Sequence, residues 1–466
     1  MDTTNPKLQV VIVPSPGMGH LIPLVEFAKL LHNSHQFSIN LLIPTSSPPT
    51  LAQTTFLSTL PSSISSTFLL PVDPTLLPLN ITHEETIFLT HFHSLSSFRS
   101  ALRSLSSVVA VVTDLFGVDY FDVARELNLP PYLYYTSNAF SLLSFIHLPT
   151  LHENVTCEYR DMKDPWVLPG CVPLHGKDFA DPTQDRTSEC YKVFMYMIKK
   201  YNMIEGIFVN SFFDLEPGAF NALINDENRL SEIYPIGPVI QPVLDEDHGS
   251  ECSSWLDEQP TNSVLFVSFG SGGTLSYDQT IELAMGLKKS GQRFIWVVRS
   301  PSNSPFGSMF SQGNKDDGSF QFLPEGYLDK IKDRGFLIPS WAPQIKILSH
   351  RSTGGFVSHC GWNSTLESIV FGVPLIAWPL YAEQRMNAVM LNEGLKVALR
   401  PKANERGVVE RDEIARVVKD LMEGEEGNKT RDKTKVLSEL AKKAMSEDGD
   451  STKTLNQVIK KWSNSQ

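Results

Sequence analysis

The stretch "LQVVIVPSPGMGHLIPLVEFAKLLHN" occupies residues 8–33. Its opening run, 8–13, is apolar and rich in valine, with Gln9 the one polar interruption. A run without period-two alternation suits a strand buried on both faces, as in a parallel sheet covered by helices. Pro14, Gly17 and Gly19 punctuate a turn, and Leu21, Leu24, Val25, Ala28 and Leu31 then recur at helical spacing. Strand, glycine turn and helix make the repeating unit of an α/β fold.

The same signals recur along the chain. Residues 37–44 ("FSINLLIP") and 108–116 ("VVAVVTDLF") read as further buried strands, the second followed by a helical pattern over 120–128. Residues 235–260 are rich in Pro, Gly and acidic side chains and offer little for a core, so the boundary between two domains is expected there. Beyond it, "NSVLFVSFGSGG" (262–273) is a strand with a glycine turn, 277–291 a helix and 292–300 the next strand. A polar insertion at 301–319 reads as a surface loop. Helices are expected from 408 onward, over 434–445 and around 451–462. The expected organisation is a Rossmann-like domain at 1–240, a linker at 241–254, a second Rossmann-like domain at 255–448, and a C-terminal helix, 449–466, with the first domain as its packing surface.

Composition narrows the partners. With 40 Lys and Arg against 52 Asp and Glu the chain carries a formal charge of -12, which disfavours nucleic acid and anionic membrane and favours a small molecule. The amino terminus has no basic n-region, and the run 8–13 is too short for a signal peptide or a membrane span, so a cytoplasmic protein is expected. Five scattered cysteines without a C-x-x-C suggest neither a disulfide framework nor a zinc site.

The densest polar cluster lies in "STGGFVSHCGWNSTLESIVFG", residues 352–372, where a strand ends at 358–360 and a helix begins. The first amides of a helix lack internal partners and sit at the positive end of its dipole, so such an entrance accepts an anion. Gly361 permits close approach, and His359, Asn363 and Ser364 add donors suited to a phosphate or diphosphate. Ser364 and Glu367 also match a capping box, in which case they satisfy the helix end themselves. A second glycine turn, 269–273, follows the first strand of the same domain and can bring amides to a phosphate as well.

Residues 341–384, "WAPQIKILSHRSTGGFVSHCGWNSTLESIVFGVPLIAWPLYAEQ", resemble the signature of plant UDP-sugar-dependent glycosyltransferases that act on small metabolites. Segments such as "PSPGMGHLIPLVEFAK", "DLFGVDYFDVA", "PPYLYY" and "VSFGSGGTLS" extend the resemblance to essentially the whole chain, in particular to the hydroquinone (arbutin-forming) branch. The resemblance implies a GT-B fold, two Rossmann-like domains with parallel sheets facing across a cleft. It implies that Trp341 stacks on uracil, the Ala342 backbone reads its edge, and Gln344 and Glu367 lie near the ribose. His359, Asn363, Ser364 and Ser271 would hold the diphosphate, and Trp362, Glu383 and Gln384 would face the sugar. Glu383 departs from the Asp usual in the family, which changes its reach, and Gln384 is the form associated with UDP-glucose. In the first half His20 matches the general base and Asp114 its orienting partner, with Ser15, Phe116 and Ser137 near the sugar or acceptor. Tyr120, Phe140, Phe145 and Phe212 or Phe213 are further candidates for the acceptor pocket.

The implied activity is inverting transfer of glucose from UDP-glucose to a phenolic or indoxyl-like hydroxyl by a monomer, with no cofactor beyond the donor substrate. No metal is expected, because no D-x-D is suitably placed, that at 245–247 falling in the linker. Two other classes stay in view. An NAD(P)-dependent oxidoreductase would use the glycine turns, although neither has G-x-G-x-x-G spacing. A non-catalytic binding protein for sugar nucleotides or phenols would need His20 or Asp114 to be misplaced.

Overall fold

The computed structural model describes residues 7–35, 37–226, 231–243, 251–303 and 320–464. It divides into two compact units, Met1–Lys177, Pro182–Gln241 and Lys443–Gln466 in the first, Asp178–Asp181 and Pro242–Lys442 in the second. Most of the insertion expected at 301–319, namely 304–319, and the D-x-D at 245–247 lie outside the described residues.

The first unit is built on seven parallel strands: β1 (Gln9–Val13), β2 (Ser38–Ile43), β3 (Ile64–Phe68), β4 (Val108–Asp114), β5 (Pro131–Tyr135), β6 (Gly206–Val209) and β7 (Glu232–Pro235). They lie in the order β3-β2-β1-β4-β5-β6-β7. β1 and β4 are buried almost throughout, which is why their sequences run apolar without alternation. One core packs Leu24, Phe27 and Leu31 of the helix Met18–His35 against β1, β2 and β5. Leu455, Val458, Ile459 and Trp462 of the terminal helix Asp450–Ser463 join the same core, with the Trp462 ring 5.3 Å from Tyr132.

The second unit holds six parallel strands: β8 (Val264–Ser268), β9 (Arg293–Val298), β10 (Gly335–Pro339), β11 (Thr353–Ser358), β12 (Leu375–Ala377) and β13 (Ala398–Leu399). Their order is β10-β9-β8-β11-β12-β13. The helix Tyr277–Ser290 begins with Ser276, whose hydroxyl accepts the Gln279 N–H, and ends on Gly291 at φ +73°. That left-handed stop is one glycine takes without strain. The segment read as a linker with little to pack needs a correction: Cys252 and Leu256 of the helix Glu251–Asp257 are buried in the core of this unit. A short amphipathic helix inside a polar stretch gives too few periodic positions to announce itself.

Each sheet grows outward from its first strand in one direction, then jumps back and grows in the other. The reversal falls between β1 and β4 in one unit and between β8 and β11 in the other. In open α/β sheets the crevice at the carboxyl ends of such a strand pair is where ligands bind. Among the described residues no helix is long and apolar enough to cross a membrane.

Candidate functional site

The reversal of the first sheet brings His20 and Asp114 together. After β1 the chain turns through Gly17 at φ +106°, a left-handed conformation that favours glycine, and the following helix puts His20 in its first turn. Asp114 is the last residue of β4, fully buried. Its Oδ2 accepts from His20 Nδ1 at 2.6 Å, and its Oδ1 accepts from Ser15 Oγ at 2.7 Å and from the Phe116 N–H at 3.2 Å. Burial alone would raise the carboxyl's pKa, but His20, then Ser15 and His91, outweigh it and hold the group below its ordinary range. Asp114 is therefore an ionised acceptor. A carboxylate has no proton to give, so His20 carries its proton on Nδ1 and leaves Nε2 as the basic nitrogen. The His20 side chain remains 24% exposed.

Rings line the approach to this pair. Phe116 meets His20 edge-on at 5.9 Å, Phe194 meets Phe116 at 5.9 Å, and Phe145 lies 5.4 Å from Phe194. Phe194, on the helix Glu189–Lys200, is not among the residues singled out by sequence. Three candidates for the acceptor pocket prove to be packed interior: Tyr120 and Phe212 are 0% exposed and Phe140 is 2%. Tyr120 sits against Phe98 at 4.3 Å, because apolar burial behind the sheet takes precedence over exposure at a site. Ser15 is 1% exposed with its hydroxyl engaged by Asp114, so it acts within the pair rather than on a sugar or acceptor. Ser137 is buried one residue before Asn138, which caps the helix Ala139–Asn154.

The reversal of the second sheet carries the other cluster. β11 ends at Ser358, Cys360 takes φ +65°, and the helix Trp362–Val370 starts from Gly361 without a side-chain cap. The capping box expected from Ser364 and Glu367 does not form. The helix begins three residues earlier than the local motif suggests, and both side chains instead receive the Gln344 amide, Nε2 lying 2.8 Å from Ser364 Oγ and 2.5 Å from Glu367 Oε2. A contrast lies at the helix Ala139–Asn154, whose entrance amides at Ala139 and Phe140 donate to the Glu216 carboxylate. The N-cap of the Trp362–Val370 helix, Gly361, makes no side-chain hydrogen bond of its own.

His359 is 8% exposed, lodged where no side chain but hydrogen fits its neighbours. A Cβ on Gly270 would fall 2.5 Å from its ring and one on Gly361 2.3 Å from Nε2. Burial, then the positive charge of Arg299, pushes its pKa down to about 4, so the imidazole is neutral. Its buried Nδ1 has no hydrogen-bond partner among the described residues. Arg299, missed by sequence reading, donates to the carbonyls of Gly270, Gly273 and Ser340 and so ties the β8 turn to the segment before Trp341. The Trp341 ring is 69% exposed, unusual for a residue of that size.

Around it, Ala342 is buried and Ser271 exposed. Burial raises Glu367 to about 7 despite the Gln344 contact. The Gln384 oxygen accepts from the amides of Leu380 at 2.9 Å and Tyr381 at 3.0 Å, which orients its NH2 end as the donor. Glu383 Oε1 accepts from Asn387 at 3.3 Å, and the same Asn387 amide donates to the Cys360 carbonyl at 2.9 Å, joining the two loops. Trp362, expected to face the sugar, is 3% exposed. Ser340, Cys360 and Ala382, all non-glycine and all at positive φ, immediately precede Trp341, Gly361 and Glu383. Strained backbone of this kind gathers at functional sites. Among the described residues no group of three or more His, Cys, Asp or Glu is placed to hold a metal ion.

Twin Rossmann-like units, one carrying a histidine–carboxylate pair and the other a helix start without a side-chain cap and an exposed tryptophan, point to a nucleotide-dependent group-transfer enzyme. Comparison with known proteins narrows the class. A family model described as UDP-glucoronosyl and UDP-glucosyl transferase matches residues 236–430. The chain is 52% identical to hydroquinone glucosyltransferase of Rauvolfia serpentina over 98% of each. It is similar to the solved structure of Phytolacca americana UGT2 complexed with UDP-2fluoro-glucose and pterostilbene, with a TM-score of 0.91 and 60% identity over 98% of this chain and 99% of that one. It is also similar to a UDP-glucosyltransferase from Polygonum tinctorium capable of glucosylating indoxyl, in complex with 3,4-dichloroaniline, with a TM-score of 0.92 and 48% identity over 100% of both. The chain belongs to the UDP-glycosyltransferase family. It is an enzyme of the GT-B fold, and its donor is a UDP-sugar.

Proposed function

We propose that the enzyme transfers glucose from UDP-glucose to the hydroxyl of a small phenol, with inversion at the anomeric carbon, and that it works in the cytoplasm as a monomer. The observation that carries the reading is the 2.6 Å bond between His20 Nδ1 and the buried, ionised Asp114, which dedicates Nε2 to taking a proton. In this reading the first unit supplies the base and the second holds the donor. Trp341 stacks on the uracil, with Ala342, Gln344 and Glu367 beside it. Ser271, His359, Asn363, Ser364 and the amides that open the helix Trp362–Val370 hold the diphosphate. Gln384 and Glu383 receive the sugar hydroxyls, and Phe116, Phe145 and Phe194 flank the acceptor ring.

One in-line displacement follows. As the acceptor oxygen bonds to the anomeric carbon, its proton passes to His20 Nε2, and the bond to the UDP oxygen breaks on the opposite face. Asp114 stabilises the imidazolium that forms. The departing diphosphate gains negative charge, which the fixed amides and the His359 site stabilise more in the transition state than before it. Proton transfer selects the acceptor class. Between an imidazole near 6.5 and a phenol near 10 the mismatch is about 3.5 units, or roughly 5 kcal/mol. For an aliphatic alcohol near water's value of about 15.7 it is about 9 units, or roughly 12 kcal/mol.

The test is incubation with UDP-glucose and a mixed panel of phenols, aliphatic alcohols, flavonoids and terpenoids, with products identified by mass and anomeric configuration. β-Glucosides of simple phenols such as hydroquinone are expected first. Products retaining the donor's α configuration, or consistent preference for bulky flavonoids or terpenoids, would overturn the reading.

A further inference from the structure

We infer that His91 is a positioning residue for the transfer reaction: through Ser15 it fixes the Asp114 carboxylate in the orientation that keeps the His20 proton on Nδ1. The inference rests on the reading of His20 as general base with Asp114 as its partner. His91 is 2% exposed on the helix His83–His93, and its Nε2 lies 2.8 Å from Ser15 Oγ, which in turn lies 2.7 Å from Asp114 Oδ1.

Proton accounting sets the direction of every bond. Asp114, ionised, only accepts, so the single Ser15 proton goes to Oδ1. Were Ser15 to donate to His91 instead, two oxygen lone pairs would face each other at 2.7 Å beside a buried anion. Ser15 therefore accepts, and His91 Nε2 must carry a hydrogen. The neutral ring then has its bare nitrogen at Nδ1, an atom that is buried with no hydrogen-bond partner among the described residues. A second proton there would be a buried N–H cation with nothing to receive it, and burial lowers the His91 pKa to about 4. The ring is held from the other side as well: the Tyr120 hydroxyl donates to the His91 carbonyl at 3.2 Å, and the Tyr120 ring meets the imidazole edge-on at 5.3 Å.

The result is a run of bonds of one polarity, from His91 Nε2–H to Ser15, from Ser15 O–H to Oδ1, and from His20 Nδ1–H to Oδ2. Without the His91 donor the Ser15 hydroxyl is free to rotate, and Oδ1 keeps the Phe116 N–H as its fixed contact. Small misplacements of a catalytic pair have large kinetic consequences.

The experiment compares H91L, H91Q, H91N and S15A with the natural enzyme, and includes H20A in the same assay. A Gln amide nitrogen reaches the position of Nε2 whereas Asn stops short of it. H91L and S15A should lower kcat about tenfold with KM for UDP-glucose held within about twofold. Their acid limb in the kcat/KM pH profile should move to lower pH, because a loosened carboxylate stabilises the His20 imidazolium less. H91Q should recover both the rate and the limb, and H91N should not. The titratable groups facing this run are His20, His83, Tyr120, Tyr134 and Tyr201. Burial lowers His83 to about 4 and raises the three tyrosines, so these four do not shape the limb. If H91L fails to fold, Gln surpassing Asn still supports the inference. Equal rates for H91Q and H91N, or a displaced limb in S15A with none in H91L, overturns it. Full activity in H20A would instead overturn the dyad reading beneath it.

Discussion

The two strand reversals share a topology and differ in electrostatics. At the carboxyl ends of β1 and β4 a fully buried carboxylate is kept ionised chiefly by His20 and then Ser15. At the ends of β8 and β11 stand a histidine with its pKa driven down to about 4 and a helix entrance without a side-chain cap. One end concentrates negative charge and is suited to accepting a proton. The other presents donors and the positive end of a dipole and is suited to a leaving anion. The shared topology supplies two similar strand reversals, and in the proposed mechanism a handful of side chains give them opposite work.

Removing the negative end should have the largest effect. H20A is expected to lower kcat about a thousandfold, while the Kd for UDP, read by calorimetry, stays within a few fold. D114N is expected to cost about as much with the fold intact, since an amide NH2 facing Nδ1 forces the wrong tautomer on His20. A large rise in the UDP Kd in either variant would mean that the two crevices do not divide the work in this way.

Filling the positive end comes next. G361A places a methyl 2.3 Å from His359 Nε2, and Gly270 walls the ring on another side, so the imidazole has to move. A loss of about a hundredfold in kcat/KM for UDP-glucose is expected, in line with loss of one preorganised donor. The acid limb of the pH profile, which reports the other crevice, should stay in place. W341A is milder: loss of a stacking platform worth about 1 to 3 kcal/mol should raise the UDP Kd by about fivefold to a hundredfold, with kcat little changed. An unchanged Kd would remove Trp341 from the donor site.

These predictions lean on residues of unequal visibility in the sequence. β1, β4 and β8 announce themselves as apolar runs because both of their faces are covered. β3, "ISSTF", stands at the sheet edge with its central residues exposed and reads as loop. His20 and Asp114 stand out because strand ends and glycine turns are local features. His91 does not, since it sits in a helix that opens with the acidic pair Glu84 and Glu85 and looks solvated, and only tertiary packing buries it. Arg299 and Asn387 escape notice because the contacts that tie them into the site, to Gly273, Ser340 and Cys360, are with residues 26 or more positions away. The Ser364–Glu367 motif misleads in the opposite direction: a local rule is satisfied on paper and displaced in the fold by a distant glutamine.

A smaller effect tests whether both crevices keep a neutral imidazole. His91 in the first unit and His359 in the second each have a pKa lowered from 6.5 to about 4. Below about pH 6.5 the unfolded chain binds protons that the folded one refuses until about pH 4. Each histidine's contribution is thus fully present above pH 6.5 and is lost as pH falls toward 4. At one unit below its unfolded value each histidine should have withdrawn about 1 kcal/mol. Hydrogen exchange at pH 7 and pH 5.5 can read this separately in the helix Met18–His35 and the helix Trp362–Val370. H91Q should flatten the pH dependence of the first helix and leave the second unchanged, and H359Q should do the reverse. If either variant altered both helices equally, the imidazoles would be reporting a global event, and the local contrast between the crevices would lose its electrostatic basis.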